Sequence, residues 1–558
     1  MKQKIILTLM LLIAASNVHA GSSSVGGINY STNGDEVTVS STLYSGDIHN
    51  FNKDNTVPWE LNFDICGYPV DGFMYDLAFS SDDPMYAGIA MMEGRNWIWD
   101  PETNTYPEYQ IQYDEWNTDS IFYVPGEIET EYGIFKLTFI SGGFFGQNDL
   151  KTVYIPPTVN RIDEGFNNSS IESIIFINND ANPITFGENA TFQNCERLTT
   201  VEFERPIDNM PYFMFMDCPN LKNVYFNDNM SLDTIGAGAF FNCSGITHLD
   251  VPQSVKVIGE AAFAHCHSLE SINLPYSLTT IDDFAFAECH QLQDISLRDA
   301  LQSIGKGAFT NCWSLSSISI PDDITIIRDF TFYDCKNLSN LYLNNVTIFG
   351  DHSFAGCDKL LSIDLTKAQS IGEAAFFTGQ VLCGVSTSPN SCPPFVSITY
   401  REEGWGPGNN EGSFKKITLG ENISVMNERT FYGHIPDTII CMAPTPPTFS
   451  NTNETDWVFS LEAYDSTVLC VPQVLVNDYR ESYGWSRFAH IEGLPIKGNG
   501  DVNGDKTLNI SDVTALIDLL LGYQTGIYNR IHADVNGDGN INIADVTSLI
   551  DKLLSRDN

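Results

Sequence analysis

Eight cysteines, Cys195, Cys218, Cys243, Cys266, Cys289, Cys312, Cys335 and Cys357, recur at intervals of 23, 25, 23, 23, 23, 23 and 22 residues. Three residues before each stands a phenylalanine, from Phe192 to Phe354, and three residues after each a leucine or isoleucine, from Leu198 to Leu360. An alternating apolar pair follows, as in Ile272 and Leu274 or Ile318 and Ile320. A period this short and regular marks one supersecondary unit copied many times, reading as turn, short helical or irregular arc, then strand.

Residues two apart on a strand share a face, so Ile272 and Leu274 point one way while Ser271 and Asn273 point outward. A single copy cannot bury its apolar face. Stacked copies, ~4.8 Å apart, pair their strands and grow a parallel sheet and a core together. Pro252, Pro275 and Pro321 follow their strands and stop them. Gly236, Gly259, Gly305 and Gly372 mark a recurrent position where a side chain would obstruct the turn, although Asp282 and Arg328 replace glycine in two copies.

The cysteine column reads as small buried hydrophobes. Disulfides between rungs suit it poorly, because stacked positions point in parallel. His265, Cys266 and His267, with Cys289 and His290 one rung later, raise zinc as an alternative, at a spacing wider than metal sites usually show. Elsewhere, Cys441 with Cys470 and Cys383 with Cys392 are candidate disulfides, and Cys66 has no evident partner.

The iterated "IG..AF..C..L..I.LP" units from about Asp233 to Phe376 resemble the BspA-like leucine-rich-repeat family of bacterial surface proteins. Degenerate copies extend the match from Leu150 and again from Phe414. The resemblance implies a curved α/β repeat solenoid with parallel strands, used for surface recognition or adhesion, and implies no catalysis. "GGINYSTNGDEVTVS" from Gly26 resembles the family's opening segment, and the stretches from Ile439 and Val468 its closing cap. Trp59, Trp97, Trp99 and Trp116 lie in the opening stretch; aromatic clusters are ordinarily core, with a sugar-stacking platform as the alternative.

Downstream of "PIKGNG", two segments match each other at an offset of 33 residues, "DVNGDKTLNISDVTALIDLLLG" from Asp501 and "DVNGDGNINIADVTSLIDKLLS" from Asp534. A hard cation such as calcium takes six to eight oxygen ligands, which a twelve-residue loop supplies from positions 1, 3, 5, 7, 9 and 12. The first loop offers Asp501, Asn503, Asp505, the Thr507 carbonyl, Asn509 and Asp512. The second offers Asp534, Asn536, Asp538, the Asn540 carbonyl, Asn542 and Asp545, so two Ca2+ ions are expected. Lys506 replaces the usual position-6 glycine in the first loop, and Gly539 keeps it in the second. Each loop runs into an amphipathic helix, with Val513, Leu516, Ile517, Leu520 and Leu521 expected on one stripe and Val546, Leu549, Ile550, Leu553 and Leu554 on the other. No good helix enters either loop, and Leu508 and Ile541 are expected to pair across them.

That arrangement resembles the type I dockerin, a small all-α calcium-binding module that docks onto a cohesin of a scaffold protein. The resemblance implies that calcium folds the module and that pseudo-twofold symmetry lets either half face the partner. Loop positions 10 and 11, here Ile510-Ser511 and Ile543-Ala544, depart from the Ser-Thr pair familiar in clostridial versions, which leaves the partner open.

Residues 1–20 read as a secretory signal, with Lys2 and Lys4, an apolar run over Ile5 to Ala15, and small residues ending at Ala20, the expected cleavage site. No other stretch is apolar enough to span a bilayer, so a secreted or cell-surface protein with no transmembrane segment is expected. The expected organisation is a signal peptide over 1–20, a β-rich N-terminal cap with degenerate repeats over 21–142 and the leucine-rich-repeat solenoid over 143–380. Irregular repeats and a cap over 381–493, a linker over 494–500 and the dockerin-like module over 501–558 complete it.

The formal charge of -43 repels nucleic-acid phosphates and anionic lipid, so no nucleic-acid partner is expected and cations are the natural counter-partners. No H-E-x-x-H, G-x-S-x-G or phosphate-binding glycine loop appears, so the chain reads as non-catalytic. Two binding roles remain: an adhesin-like surface for a protein or glycan ligand, tethered by the C-terminal module, or an accessory of a polysaccharide-degrading assembly.

Overall fold

The computed structural model describes 151–378, 414–450, 458–523 and 528–555 apart from short gaps at 164–165, 179–182 and 188–190, with 121–124 and the backbones of separate strands in 21–141 and 382–401. Residues 1–20, expected to be a secretory signal, the four tryptophan side chains named above and the side chains of Cys66, Cys383 and Cys392 lie outside this description. The chain divides into two compact units, 1–292 with 386–397 and 293–385 with 398–558.

In the first unit the strands Gly21–Val25, Ile28–Asn33, Glu36–Ser41 and Gly46–Asn52 form an antiparallel meander. A parallel ladder then runs through Ile121–Tyr123, Thr152–Ile155, Ser173–Phe176, Thr200–Phe203 and Asn223–Phe226. Every second residue is buried in Thr152–Ile155, Ser173–Phe176 and Thr200–Phe203, as a one-sided strand requires. Phe139–Ser141, Arg161–Asp163 and Thr185–Phe186 form a second parallel ladder in these repeats, and the two-residue strands Thr234–Ile235, Val257–Ile258 and Thr280–Ile281 form another in the repeats that follow.

The second unit repeats the plan. Ser362–Leu365 pairs in parallel with Lys416–Leu419, and the ladder continues through Thr438–Cys441, Val468–Pro472 and His490–Leu494. Helices α1 (Leu461–Ser466) and α2 (Val476–Glu481) close this end around buried Trp485, whose indole N–H donates to the Pro447 carbonyl at 2.7 Å.

The arc before each cysteine is built of turns rather than helix. Left-handed residues recur four apart, as at Ala261 and His265 or Gly307 and Asn311, and interrupt any helical run. Their N–H groups bond alternately within the rung and to the next one: Phe241 to Gly238 at 2.9 Å, Asn242 to Ala264 at 2.9 Å, Cys243 to Phe240 at 3.1 Å. Inside, phenylalanines stack rung on rung, with Phe240, Phe263 and Phe286 separated by 5.1 and 5.4 Å.

The ladder cysteines are free and buried. Seven of the eight thiols donate to the carbonyl of a phenylalanine one rung back, as Cys243 does to Phe215 at 3.0 Å and Cys266 to Phe240 at 3.2 Å, which satisfies an interior acceptor. Cys266 and Cys289 therefore face the core, and the cysteine-containing zinc alternative fails. Cys441 and Cys470 are free as well. Cys470 pairs in register with Ile440, one residue from Cys441, so the two thiols leave opposite faces of the sheet and cannot join. The Cys441 sulfur instead accepts from the Tyr479 hydroxyl at 3.1 Å.

The recurrent glycines owe their place to rung spacing. Gly236 and Gly259 do not adopt positive φ, but a Cβ on Gly236 would lie 2.5 Å from the Met210 carbonyl oxygen and one on Gly259 2.9 Å from Ala237 N.

Candidate metal centre

The C-terminal module packs α3 (Ile510–Leu521) against α5 (Ile543–Leu554) over a core of Val502, Val513, Leu516, Val535, Val546 and Leu549. Leu508 and Ile541 both pack on this core from their loops. A four-residue helix α4 (Arg530–Ala533) does enter the second loop, capped by the Asn529 side chain, which accepts from Ile531 and His532 N–H. Its brevity hid it from any periodicity.

Each loop closes on its last aspartate. The Asp512 carboxylate accepts from the N–H groups of Asn503 (3.2 Å) and Asn509 (2.9 Å), and Asp545 accepts from Asn536 (3.1 Å) and Asn542 (2.9 Å). Both carboxylates are fully buried and both complete a capping box with the asparagine at position 9. The same side chains thus start the helix and line the loop.

Carboxylate oxygens of Asp501, Asp505 and Asp512 lie within 4.8 Å of one another, and Asp501 Oδ1 is buried with no hydrogen-bond partner. Three carboxylates this close repel, and an orphaned buried oxygen is costly. A hard cation answers both defects, and an oxygen-only donor set suits calcium over softer metals. In the second loop Asp534 is more completely held, accepting from Gly537, Asp538 and Gly539 at 2.8, 3.1 and 2.8 Å, and burial raises its carboxyl above the ordinary range. The Thr507 hydroxyl and N–H hold the Asp505 carboxyl below that range, and the Asn540 N–H does so for Asp538.

The apolar stripes of the two helices divide. Val513, Leu516, Val546 and Leu549 are buried, whereas exposure is 70 % at Ile510 and 72 % at Ile543, 40 % at Ile517 and 39 % at Ile550, and 64 % at Leu521 and 63 % at Leu554. Residues 33 apart thus match in exposure as well as in type, and the module carries the same uncovered apolar patch twice. The module is also fastened to the closing cap: Arg530 pairs with Asp478 and donates to the Val474 carbonyl at 3.0 Å, and His532 stands 3.7 Å from Glu421. No local spacing joins such distant residues, so the sequence carries no signal for this clamp.

On the first unit's ladder, Tyr123, Tyr154, Ile175, Glu202 and Tyr225 share one register row on the outward face, with Tyr123 stacked on Tyr154 at 4.4 Å. No helix among the described residues is long and apolar enough to cross a membrane.

Residues 138–270 and 256–382 match the family model of the BspA type leucine rich repeat region, and 499–554 match the dockerin type I domain. A search of curated proteins finds no match. Among solved structures, a leucine-rich repeat protein from Bacteroides ovatus is 20% identical over 60% of this chain and 89% of its own, with a TM-score of 0.36. A leucine rich cell surface protein from Faecalibacterium prausnitzii is 17% identical over 74% of this chain and 96% of its own, with a TM-score of 0.35. The pneumococcal vaccine antigen PcpA is 17% identical over 77% of this chain and all of its own, with a TM-score of 0.38. Both matched regions are non-catalytic binding modules, and type I dockerin domains bind calcium and imply a cohesin-type partner. The chain therefore joins a BspA-type leucine-rich-repeat region to a C-terminal type I dockerin domain.

Proposed function

We propose that this protein is an exported, non-catalytic binding protein whose calcium-loaded C-terminal module anchors it to a cohesin-bearing scaffold while its repeats recognise a ligand at the cell surface. Two ions are held, one by Asp501, Asn503, Asp505, the Thr507 carbonyl, Asn509 and Asp512, the other by Asp534, Asn536, Asp538, the Asn540 carbonyl, Asn542 and Asp545. The observation that carries the reading is the twinned exposure of Ile510 and Ile543, Ile517 and Ile550, and Leu521 and Leu554 beside the two loops. Uncovered apolar side chains on a small domain mark a docking face, and two equivalent patches let either half engage.

Calcium acts here by fixing the loops and with them the starts of α3 and α5, which present those patches. On the solenoid, the outward row of Tyr123, Tyr154 and Tyr225 supports recognition of a protein or glycan, since tyrosine offers apolar area with a polar tip. Export by cleavage after Ala20 completes the reading.

The test is affinity capture from the source organism's envelope and culture fluid with the full chain as bait, in calcium and in chelator. Recovery of a cohesin-bearing protein in calcium alone is the expected result, lost in an Ile510→Asp, Ile543→Asp chain; capture indifferent to calcium and to these substitutions overturns it. The accessory role in a polysaccharide-degrading assembly requires glycosidases in the captured complex and sugar binding by the repeats on a glycan array.

A further inference from the structure

The residue before each ladder cysteine takes left-handed backbone, and in six of the eight rungs it is a type that tolerates it: Asn194, Asp217, Asn242, Asn311, Asp334 and Gly356. The other two are His265 (φ 61), a type that is also enriched in this conformation, and Glu288 (φ 60), which is not, on consecutive rungs. A glutamate lacks the short side chain that eases this conformation, so its presence asks for a reason. The two side chains meet, with His265 Nδ1 3.2 Å from Glu288 Oε2 and only 20 % and 15 % of them exposed.

A third group completes the cluster. One ligand atom from each of His265, His267 and Glu288 lies within 4.8 Å of the others. His267 Nδ1 stands 3.0 Å from the Glu288 carbonyl oxygen, which only accepts, so Nδ1 is the donor there and Nε2 is the nitrogen left to ligate. A second-sphere carbonyl on the far nitrogen is how ligating imidazoles are usually oriented. The His290 ring stacks on His267 at 4.5 Å, and Phe241 meets the His265 ring edge-on at 4.9 Å, which walls the site. Two donors each ~2.05 Å from a tetrahedral ion lie ~3.3 Å apart, close to the His265 to Glu288 separation.

We infer that His265, His267 and Glu288 form a zinc site on the repeat surface, with three protein ligands and a fourth position for water or an incoming donor. Two imidazoles and a carboxylate favour zinc over calcium or magnesium. The neighbouring thiols take no part: Cys266 and Cys289 donate inward to the Phe240 and Phe263 carbonyls of the preceding rung, and burial pushes the Cys266 thiol up to about 12. This site is independent of the C-terminal loops, which hold only oxygen donors.

The test titrates zinc into the full chain with calcium in excess, by calorimetry and by competition with a chromogenic chelator. The control is the His265→Asn, Glu288→Asn chain, which restores the residue type of neighbouring rungs and so keeps the fold, checked by its melting temperature. The wild type is expected to bind one more zinc than this variant, and His267→Ala, which removes a direct ligand, to weaken that zinc by more than the roughly 100-fold that loss of an outer-sphere partner costs. X-ray absorption of the loaded protein should show nitrogen and oxygen at ~2.0–2.1 Å with imidazole scattering. Equal zinc uptake by wild type and double variant, or sulfur at ~2.3 Å, would overturn the assignment.

Discussion

In a rung arc, the N–H groups of Phe240 and Asn242 find the carbonyls of Ala262 and Ala264 on the next rung at 2.8 and 2.9 Å. In the first calcium loop, those of Lys506, Thr507 and Asn509 find the carboxylates of Asp501, Asp505 and Asp512 at 3.0, 2.7 and 2.9 Å. Both segments are irregular and both contain left-handed residues, but they are finished by different things. The arc is finished by more of the same chain, so each added rung satisfies its predecessor. The loop satisfies its backbone with anions, and the crowding of those anions is relieved from outside. The repeats should therefore be indifferent to calcium and the module conditional on it.

The strongest way to break this contrast is to remove the first ligand of both loops. Asp501→Ala with Asp534→Ala is expected to abolish the calcium-dependent ordering of α3 and α5, read as amide-exchange protection in the full chain with and without chelator. Calcium at a thousandfold over its dissociation constant adds ~4 kcal/mol to a domain that binds it only when folded. Rung amides such as those of Phe240 and Asn242 should not change. If chelator leaves α3 and α5 of the wild type protected, the ion assignment is wrong.

Phe263→Ala probes the other side. Phe263 is fully buried between Phe240 and Phe286, and its truncation should cost ~3–5 kcal/mol. Denaturant unfolding of the repeats is expected to shift by the same amount in calcium and in chelator. A calcium-dependent shift would mean that the module and the rungs share stability.

How much of this was legible depends on whether partners repeat. The rung period was legible because stacking puts one residue type in each column, and Phe263 or Cys266 is visible as a member of a series. The loop ligands were legible because all of them fall within twelve residues. The helix stripes were legible only as amphipathic: spacing groups Val513 with Ile517, but only packing decides that the first is buried and the second exposed. The open choice at Cys441 and Cys470 turned on a one-residue register, which strand propensity does not fix. The left-handed column was present in the sequence as a run of Asn, Asp and Gly before the cysteines, and His265 and Glu288 stood out only once the backbone was seen.

The smallest expected effect separates the two loops from each other. Lys506 occupies position 6 with φ 66, where Gly539 has φ 82 in the second loop. A left-handed conformation costs a residue with a side chain roughly 1–2 kcal/mol, part of which glycine returns through its freer unfolded chain. The Lys506 N–H that bonds Asp501 is backbone and survives the change. Lys506→Gly is therefore expected to stabilise the calcium-loaded module by about 1 kcal/mol, and to tighten the first ion because a positive charge leaves its surroundings. The reverse change, Gly539→Lys, should destabilise, since its Cβ would lie 2.5 Å from Gln473 Cγ on the closing cap as well as forcing the backbone. Calorimetric calcium titration of both variants reads the sign directly. If Lys506→Gly weakens calcium binding, the lysine is holding the loop in place and the equivalence of the two loops fails at this position.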